Sequence, residues 1–221
     1  TNAVKLLREI KQRGYTGSIS ILRDFVLPLR QEQKHQAWIR FETMPGEQAQ
    51  VDWAHFLGQD PDGIRYRFYC FTMLLGYSRC LYAEFVPDMD LLTLLRCHIN
   101  GFEYFGGHTK TILYDNMKQV ILYRDETTGT PHFHPRFLDF AHYYSFQPKL
   151  CQPSRPQTKG KDENSIKYIR NNFYQGEKSY TLFALNGNLR EWLDTVANTR
   201  IHATTREIPF ARLKQENLIP I

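Results

Sequence analysis

The sequence predicts an α/β domain, a mixed five-stranded sheet flanked by helices, behind a small helical segment. Three observations predict it. Hydrophobic residues recur in helical steps up to about residue 30. After Met44-Pro45-Gly46 the spacing changes to the alternation of strands. From there on, the runs read β-β-β-α-β-α-β-α-α, an order that places helices on the faces of a mixed sheet.

Residues 3–13 read as a short helix with Val4, Leu7 and Ile10 on one face, broken by Gly14-Tyr15-Thr16-Gly17. Ser18 can cap a second helix whose apolar face is Ile19, Leu22, Phe25, Val26 and Leu29, with Pro28 limiting its far end. Helix, glycine turn and basic helix is the outline of a helix-turn-helix, and any helical hairpin shares it. Residues 1–30 are therefore read as a helix-turn-helix-like segment, 31–46 as a linker, 47–205 as the core and 206–221 as a C-terminal extension.

In the core, residues 48–56 alternate, with Ala49, Val51 and Trp53 on one face and Gln50 and Asp52 on the other. Asp60-Pro61-Asp62-Gly63 signals a turn, so Asp60 and Asp62 are turn acids. Residues 65–75 and 79–86 complete a three-stranded meander, split at Gly76-Tyr77-Ser78. Asp88 or Asp90 caps a helix through about Tyr104, with Leu91, Leu92, Leu94, Leu95, Ile99 and Phe102 as core. A fourth strand spans 110–114, a loop 124–134, a helix 135–145 and a short strand 146–150. Helices follow at 160–174 and 181–198, the latter with Leu182, Leu185, Leu189, Trp192 and Val196 as its apolar face.

A chain of 221 residues with 42% hydrophobic content can bury a full core. No run approaches the roughly 18 apolar residues of a membrane span, and no leader peptide opens the sequence. A start at Thr1 without Met reads as a fragment or a trimmed product. Net charge is +5, and residues 1–40, with eight basic and three acidic residues, carry that same excess. A second basic cluster flanks Glu163. Such footprints suit a polyanionic partner, because each neutralised phosphate releases counterions; a solvated surface is the plainer reading. Cys70, Cys80, Cys97 and Cys151 form no close pair and read as reduced thiols. His132 and His134, bracketed by Pro131 and Pro135, read as loop residues and not as zinc ligands.

Three carboxylates carry the chemistry. Asp52 lies on the first core strand, Asp115 ends the fourth, and Glu163 opens the helix after Arg155-Pro156-Gln157-Thr158-Lys159-Gly160-Lys161. Open α/β sheets bind ligands at strand ends. Two strand acids and one helix acid can converge on a pair of divalent ions, the equipment for cutting and joining a phosphodiester. On the helix, Glu163, Lys167 and Arg170 recur at one face, so two cations stand beside the acid, set either for DNA phosphates or for intrahelical pairing. Lys159 and Lys161 at the helix start suit a phosphate better than the helix dipole.

The segments Gly46-Glu47-Gln48-Ala49-Gln50-Val51-Asp52-Trp53, Tyr114-Asp115-Asn116 and Gln157-Thr158-Lys159-Gly160-Lys161-Asp162-Glu163-Asn164 resemble the DDE transposases with a retroviral-integrase-like core. The match is with the IstA type of bacterial insertion sequences, and Asn198-Thr199-Arg200-Ile201-His202 with Ile208-Pro209-Phe210 extends it. The resemblance covers most of the chain. It implies an RNase H-like fold and catalysis of 3′-end processing and strand transfer, first with water and then with the freed 3′-hydroxyl as nucleophile. It also implies Asp52, Asp115 and Glu163 as catalytic and metal-binding residues, with Asp52 bridging two Mg2+ ions for which Mn2+ substitutes. Lys159, Lys161, Lys167, Arg170, Arg23 and Arg13 are the expected DNA contacts. Expected partners are transposon-end and target DNA, an AAA+ ATPase helper and further copies of the chain, in a bacterial, nucleoid-associated cytoplasmic setting without a membrane. The alternative is a non-catalytic DNA-binding or assembly module on the same fold. Family members carry further DNA-binding sequence before this region and a small β domain after it. One residue departs from the pattern: Asp162 stands where relatives carry an aliphatic residue, typically Val.

Overall fold

The longest strand, β1 (Gln48–Gln59), organises the sheet, because both of its neighbours pair with it directly. The structure, a computed structural model, describes residues 6–7, 10–34, 43–59, 62–125, 128–151, 162–175, 177 and 181–221. For 27–34 and 162–164 it describes the backbone alone. The chain divides into two units, Thr1–Phe41 and Glu42–Ile221.

In the first unit, residues 6–7 and 10–11 are helical, and the remainder of the expected 3–13 helix lies outside the described residues. Gly14 takes φ +93°, a conformation that favours glycine. Helix α1 (Ile19–Lys34) starts at Ser18, whose Oγ accepts from Ile21 N at 3.4 Å. It does not stop at Pro28. A proline costs its helix one backbone bond, but Leu29-Arg30-Gln31-Glu32-Gln33-Lys34 are all strong helix formers and carry the helix on. Leu22 is buried as expected, whereas Phe25 is 70% exposed.

The second unit is a five-stranded sheet in the order β3-β2-β1-β4-β7. β1, β2 (Arg65–Leu75) and β3 (Leu81–Val86) form the antiparallel meander, while β4 (Thr111–Tyr114) and β7 (Gln147–Leu150) run parallel to β1. Alternation along β1 sends Ala49 and Val51 into one core and Ala54 and Phe56 into another, so both faces of the sheet are covered.

The first face is covered by α2 (Leu91–Phe105) and α3 (Pro135–Tyr144). Asp90 is the cap of α2, accepting from Thr93 N at 2.7 Å, while Asp88 takes the Thr93 hydroxyl. The buried side of α2 is Leu94, Cys97, His98, Gly101 and Phe102; Leu92, expected in the core, is 67% exposed. The second face is covered by α4 (Asp162–Ile169) and α5 (Leu182–Trp192), each continued by a π-helical turn, Arg170–Tyr174 and Leu193–Ala197. The wider turn moves the buried stripe of α5 on by one residue. Leu193 and Ala197 are buried and Val196, expected inside, is 44% exposed.

The expected loop 124–134 is instead a two-stranded hairpin, β5 (Ile121–Arg124) with β6 (Pro131–Phe133). Its proline starts a strand, where no ladder donor is needed. The C-terminal extension holds α6 (Pro209–Leu213) and closes on the core: Phe210, Leu213 and Leu218 pack against the first face, and Ile219 bridges His108. Glu216 accepts from Gly46 N at 2.6 Å and Ser78 N at 2.9 Å, tying the entry to β1 and the β2–β3 turn to the tail. Gly46, at φ +68°, has no room for a Cβ against Asn217 O.

Candidate functional site

Register fixes the first two acids. Val51 on β1 pairs with Tyr114 on β4, so Asp52 and Asp115 are the next residues along two neighbouring parallel strands, whose backbones lie about 5 Å apart. β4 ends there, and β1 continues for seven residues beyond Asp52. Asp52 therefore stands where the sheet opens, the place at which α/β sheets bind ligands.

The Asp52 carboxylate is held toward that opening. The Asp52 carbonyl accepts from the Thr72 hydroxyl at 3.2 Å, so residue 52 makes its main-chain bonds toward β2. Residue 53 consequently presents its N–H on the β4 side, just past the last β4 residue. That N–H donates to Asp52 Oδ1 at 2.9 Å. One oxygen is thus fixed on the side where Asp115 stands. Asp52 is 8% exposed and Asp115 is half-buried.

Below Asp115 the support is rigid. Tyr114 is fully buried, and its hydroxyl lies 2.8 Å from His98 Nε2, while His98 Nδ1 lies 2.7 Å from Leu94 O. A neutral imidazole satisfies both contacts, donating from Nδ1 to the carbonyl and accepting the phenol proton at Nε2. Burial pushes the His98 pKa down to about 4 and that of Tyr114 well above its ordinary value. The sequence reading missed His98. The available signal was its position four residues after Leu94 and four before Phe102 in an apolar helical face.

The third acid sits on α4. Two side-chain bonds align this helix with β1: Arg170 Nη2 donates to His55 O at 2.6 Å and Tyr174 Oη to Leu57 O at 2.9 Å. Helix and strand therefore advance in the same direction. Stepping back seven residues from Arg170 to Glu163 covers about 10 Å of helix, or about three strand residues, from His55 to Asp52. On these ideal rises the Glu163 backbone falls near the level of Asp52. Its side chain lies outside the described residues, as do that of Asp162 and all of Lys159 and Lys161.

The expected DNA contacts separate into kinds. Lys167 is exposed, and in the first unit Arg13 and Arg23 are exposed. Arg170 already has structural work: besides the His55 carbonyl, its guanidinium lies 4.5 Å from the Phe56 ring centre. Among the described residues no three His, Cys, Asp or Glu side chains are gathered as a metal site. The donors present suit a hard cation nonetheless, since Asp52 and Asp115 supply only oxygen, the ligand magnesium prefers. The four cysteines are unbridged; Cys70, Cys80 and Cys97 are buried, with burial holding their thiols protonated, while Cys151 follows β7 at the strand ends, its N–H donating to Tyr114 O at 2.8 Å. His132 and His134 belong to the hairpin and its junction with α3. Among the described residues no helix is long and apolar enough to cross a membrane.

Comparison with known proteins gives the family and the fold. A family model described as the integrase core domain matches residues 42–156. A protein named as a transposase for insertion sequence element IS5376 of Geobacillus stearothermophilus is 44% identical over 220 residues, 100% of this chain and 54% of the relative. The transposase for insertion sequence element IS21 of Pseudomonas aeruginosa is 34% identical over 223 residues, 100% of this chain and 56% of the relative. The chain thus spans little more than half the length of these two relatives. Among solved structures, the HTLV-2 integrase catalytic core domain in complex with magnesium superposes with a TM-score of 0.56 at 13% identity, over 77% of this chain and 98% of that one. The simian T-cell lymphotropic virus intasome in complex with a PP2A regulatory subunit gives a TM-score of 0.56 at 14% identity, over 80% of this chain and 58% of that one. The mixed five-stranded sheet flanked by helices is the RNase H-like fold of integrase cores.

Proposed function

The chain belongs to the integrase core domain family, alongside the IS21-type transposases of bacterial insertion sequences, and on that premise we propose that it processes 3′ ends of element DNA and transfers them to target DNA. The observation that carries this reading is the register of Asp52 and Asp115 at the open end of the sheet; Glu163, on α4, is the expected third acid. Asp52, Asp115 and Glu163 are the proposed catalytic set, and they would hold two Mg2+ ions, with Mn2+ as a substitute. Bound there, such ions make an attacking hydroxyl more acidic and stabilise charge on the leaving oxygen.

The chain's own residues supply position. Trp53 N–H fixes one Asp52 oxygen toward Asp115, and the Tyr114–His98 pair anchors the strand that delivers Asp115. Lys167 on α4 and Arg170 in the turn that continues it, with Lys159 and Lys161 preceding the helix in sequence, are the proposed contacts to the DNA backbone; Arg13 and Arg23 are those of the first unit. The oxygen-only ligand set leaves sequence choice to other surfaces, so the substrate is recognised by backbone geometry at the site. Two element ends must meet target DNA, which requires several copies of the chain. An AAA+ helper as partner and a cytoplasmic, nucleoid-associated setting are proposed alongside this activity.

The test is strand transfer from pre-cut element-end DNA in magnesium or manganese, comparing the chain with Asp52→Asn and Asp162→Val. Product from the parent and not from Asp52→Asn is the expected result. Product from Asp162→Val alone makes Asp162 an impairing departure. Product undiminished in Asp52→Asn would overturn the site. DNA binding without product in either the parent or Asp162→Val would favour the non-catalytic assembly module, which Asp162 already gives some ground for.

A further inference from the structure

The β5–β6 hairpin is placed directly after Asp115 and has no role in the reading so far. Two bonds tie it and the segment leading to it to the end of β4. Met117 N donates to Asp115 O at 2.7 Å, and Arg124 Nη2 donates to Asn116 Oδ1 at 2.9 Å. Ile121 is buried in the first core and Phe133 packs against it, so the hairpin is anchored through its first and last residues.

Between those anchors the pairing slips. Ile121 pairs with Phe133 but Tyr123 pairs with His132, leaving Leu122 as an extra residue on β5. A bulge of this kind re-aims the side chains beside it. Leu122 and Tyr123 are in consequence each 56% exposed, although strict alternation would have kept Tyr123 on the side of Ile121. The Tyr123 ring stacks on His132, itself exposed, at 4.3 Å with the planes 15° apart. Two flat rings and one aliphatic side chain thus stand in water on a hairpin whose Arg124 is pinned to Asn116, the residue after a proposed catalytic acid, with the exposed cations Lys118 and Arg136 nearby in sequence.

We propose that Leu122, Tyr123 and His132 form a stacking platform for one unpaired base of the DNA strand that reacts at the proposed Asp52 and Asp115 site. The proposal rests on the catalytic reading for the identity of the ligand. The platform's size argues for a base: a stable protein interface buries about 800 Å2 per partner, whereas one aromatic pair and a leucine cover the face of one base. Every base has a π face, so such a platform is sequence-tolerant, and its cationic surroundings suit the adjoining phosphates. A base held there is withdrawn from its duplex, which leaves the neighbouring phosphodiester accessible to the carboxylates.

The test uses two element-end DNAs, one blunt and one with its two terminal nucleotides unpaired, the latter with 2-aminopurine in an unpaired position. Binding and 2-aminopurine fluorescence are read in calcium, where binding is separated from turnover. The parent and Tyr123→Phe are expected to quench the fluorophore. Tyr123→Ala is expected to lose the quench and bind the frayed DNA about tenfold more weakly, with blunt DNA unchanged. His132→Ala, a change at an exposed position, is expected to weaken the quench in part, which covers the case of a Tyr123→Ala chain that melts early. Undiminished quench in both variants, or equal loss on both DNAs, overturns the platform and leaves the exposed rings to another kind of partner. Strand-transfer product from Asp52→Asn would sink the catalytic assignment and leave the platform standing.

Discussion

The two faces of the sheet are built differently. The first is closed by ordinary α-helices, by the C-terminal extension and by a buried polar pair, His98 with Tyr114. The second is closed by helices that both end in π turns and that meet β1 through side chains, Arg170 on the His55 carbonyl and Tyr174 on the Leu57 carbonyl. Asp52 points to the second face, by alternation with Ala54 and Phe56. The strand before Asp115 is locked into the first through Tyr114. One face fixes the backbone, and the other carries the helix on which Glu163, the proposed third acid, stands. Stability and chemistry are therefore separable by face.

The sharpest separation comes from Asp52→Asn. It removes a charge at the site but keeps the shape and the Trp53 contact, so strand transfer should fall by at least about 1000-fold, equivalent to about 4 kcal/mol of transition-state stabilisation. Thermal melting without metal should move little. A large drop in melting temperature would show that the site and the fold are not separable after all.

The converse change is Phe102→Ala, at a fully buried position of the first face. Truncating such a phenylalanine costs about 3–5 kcal/mol, which in a unit of this size lowers the melting temperature by roughly 10 °C. Phe173→Ala on the second face should cost less, because Phe173 keeps 9% exposure and sits on a π turn that can relax. Denaturant melts of both variants rank the faces, and a larger loss from Phe173→Ala would reverse the comparison.

Acid probes the first face through His98. The folded state holds His98 at about 4, below its ordinary 6.5, because burial disfavours the cation. Between those two values the unfolded chain binds a proton that the folded chain excludes. Stability from this residue is thus complete above pH 6.5 and is lost as pH falls to 4, by about 3 kcal/mol in all. Titrating His98 by NMR checks it. Tyr114→Phe, which takes away the donor to Nε2, should cost about 1 kcal/mol and leave the acid-induced loss in place.

The sequence made the first face and the strand acids legible for physical reasons. Period-two alternation over β1 and the Asp-Pro-Asp-Gly turn mark the meander, and Asp115 follows an apolar run whose end is the strand's end. What it hid depends on contacts far apart in the chain or on departures from ideal geometry. The π turn that exchanges Val196 for Ala197, the bulge at Leu122 that turns Tyr123 outward, and the clasp of Glu216 on Gly46 and Ser78 have no period to read. His98 was hidden by its polarity, since only its two partners make its burial affordable. Arg170 looked like a free cation beside Glu163, because its carbonyl partner is 115 residues away.

Arg170 gives the smallest and most discriminating prediction. Its guanidinium bonds the His55 carbonyl and covers Phe56, yet the residue stays exposed, so Arg170→Ala should cost only about 1–2 kcal/mol of stability. The structural role and the proposed phosphate role make different demands on the same atoms. If the guanidinium serves only the fold, the variant loses melting temperature while the salt dependence of DNA binding is unchanged. If it also meets a phosphate, the slope of log affinity against log salt should shrink by about one. Arg170→Lys separates the two further, because a lysine keeps the charge for a phosphate but not the planar group that lies over Phe56. Recovery of the salt slope without recovery of stability would assign the phosphate contact to charge and the β1 contact to shape, and would show that the second face is where fold and substrate share a residue.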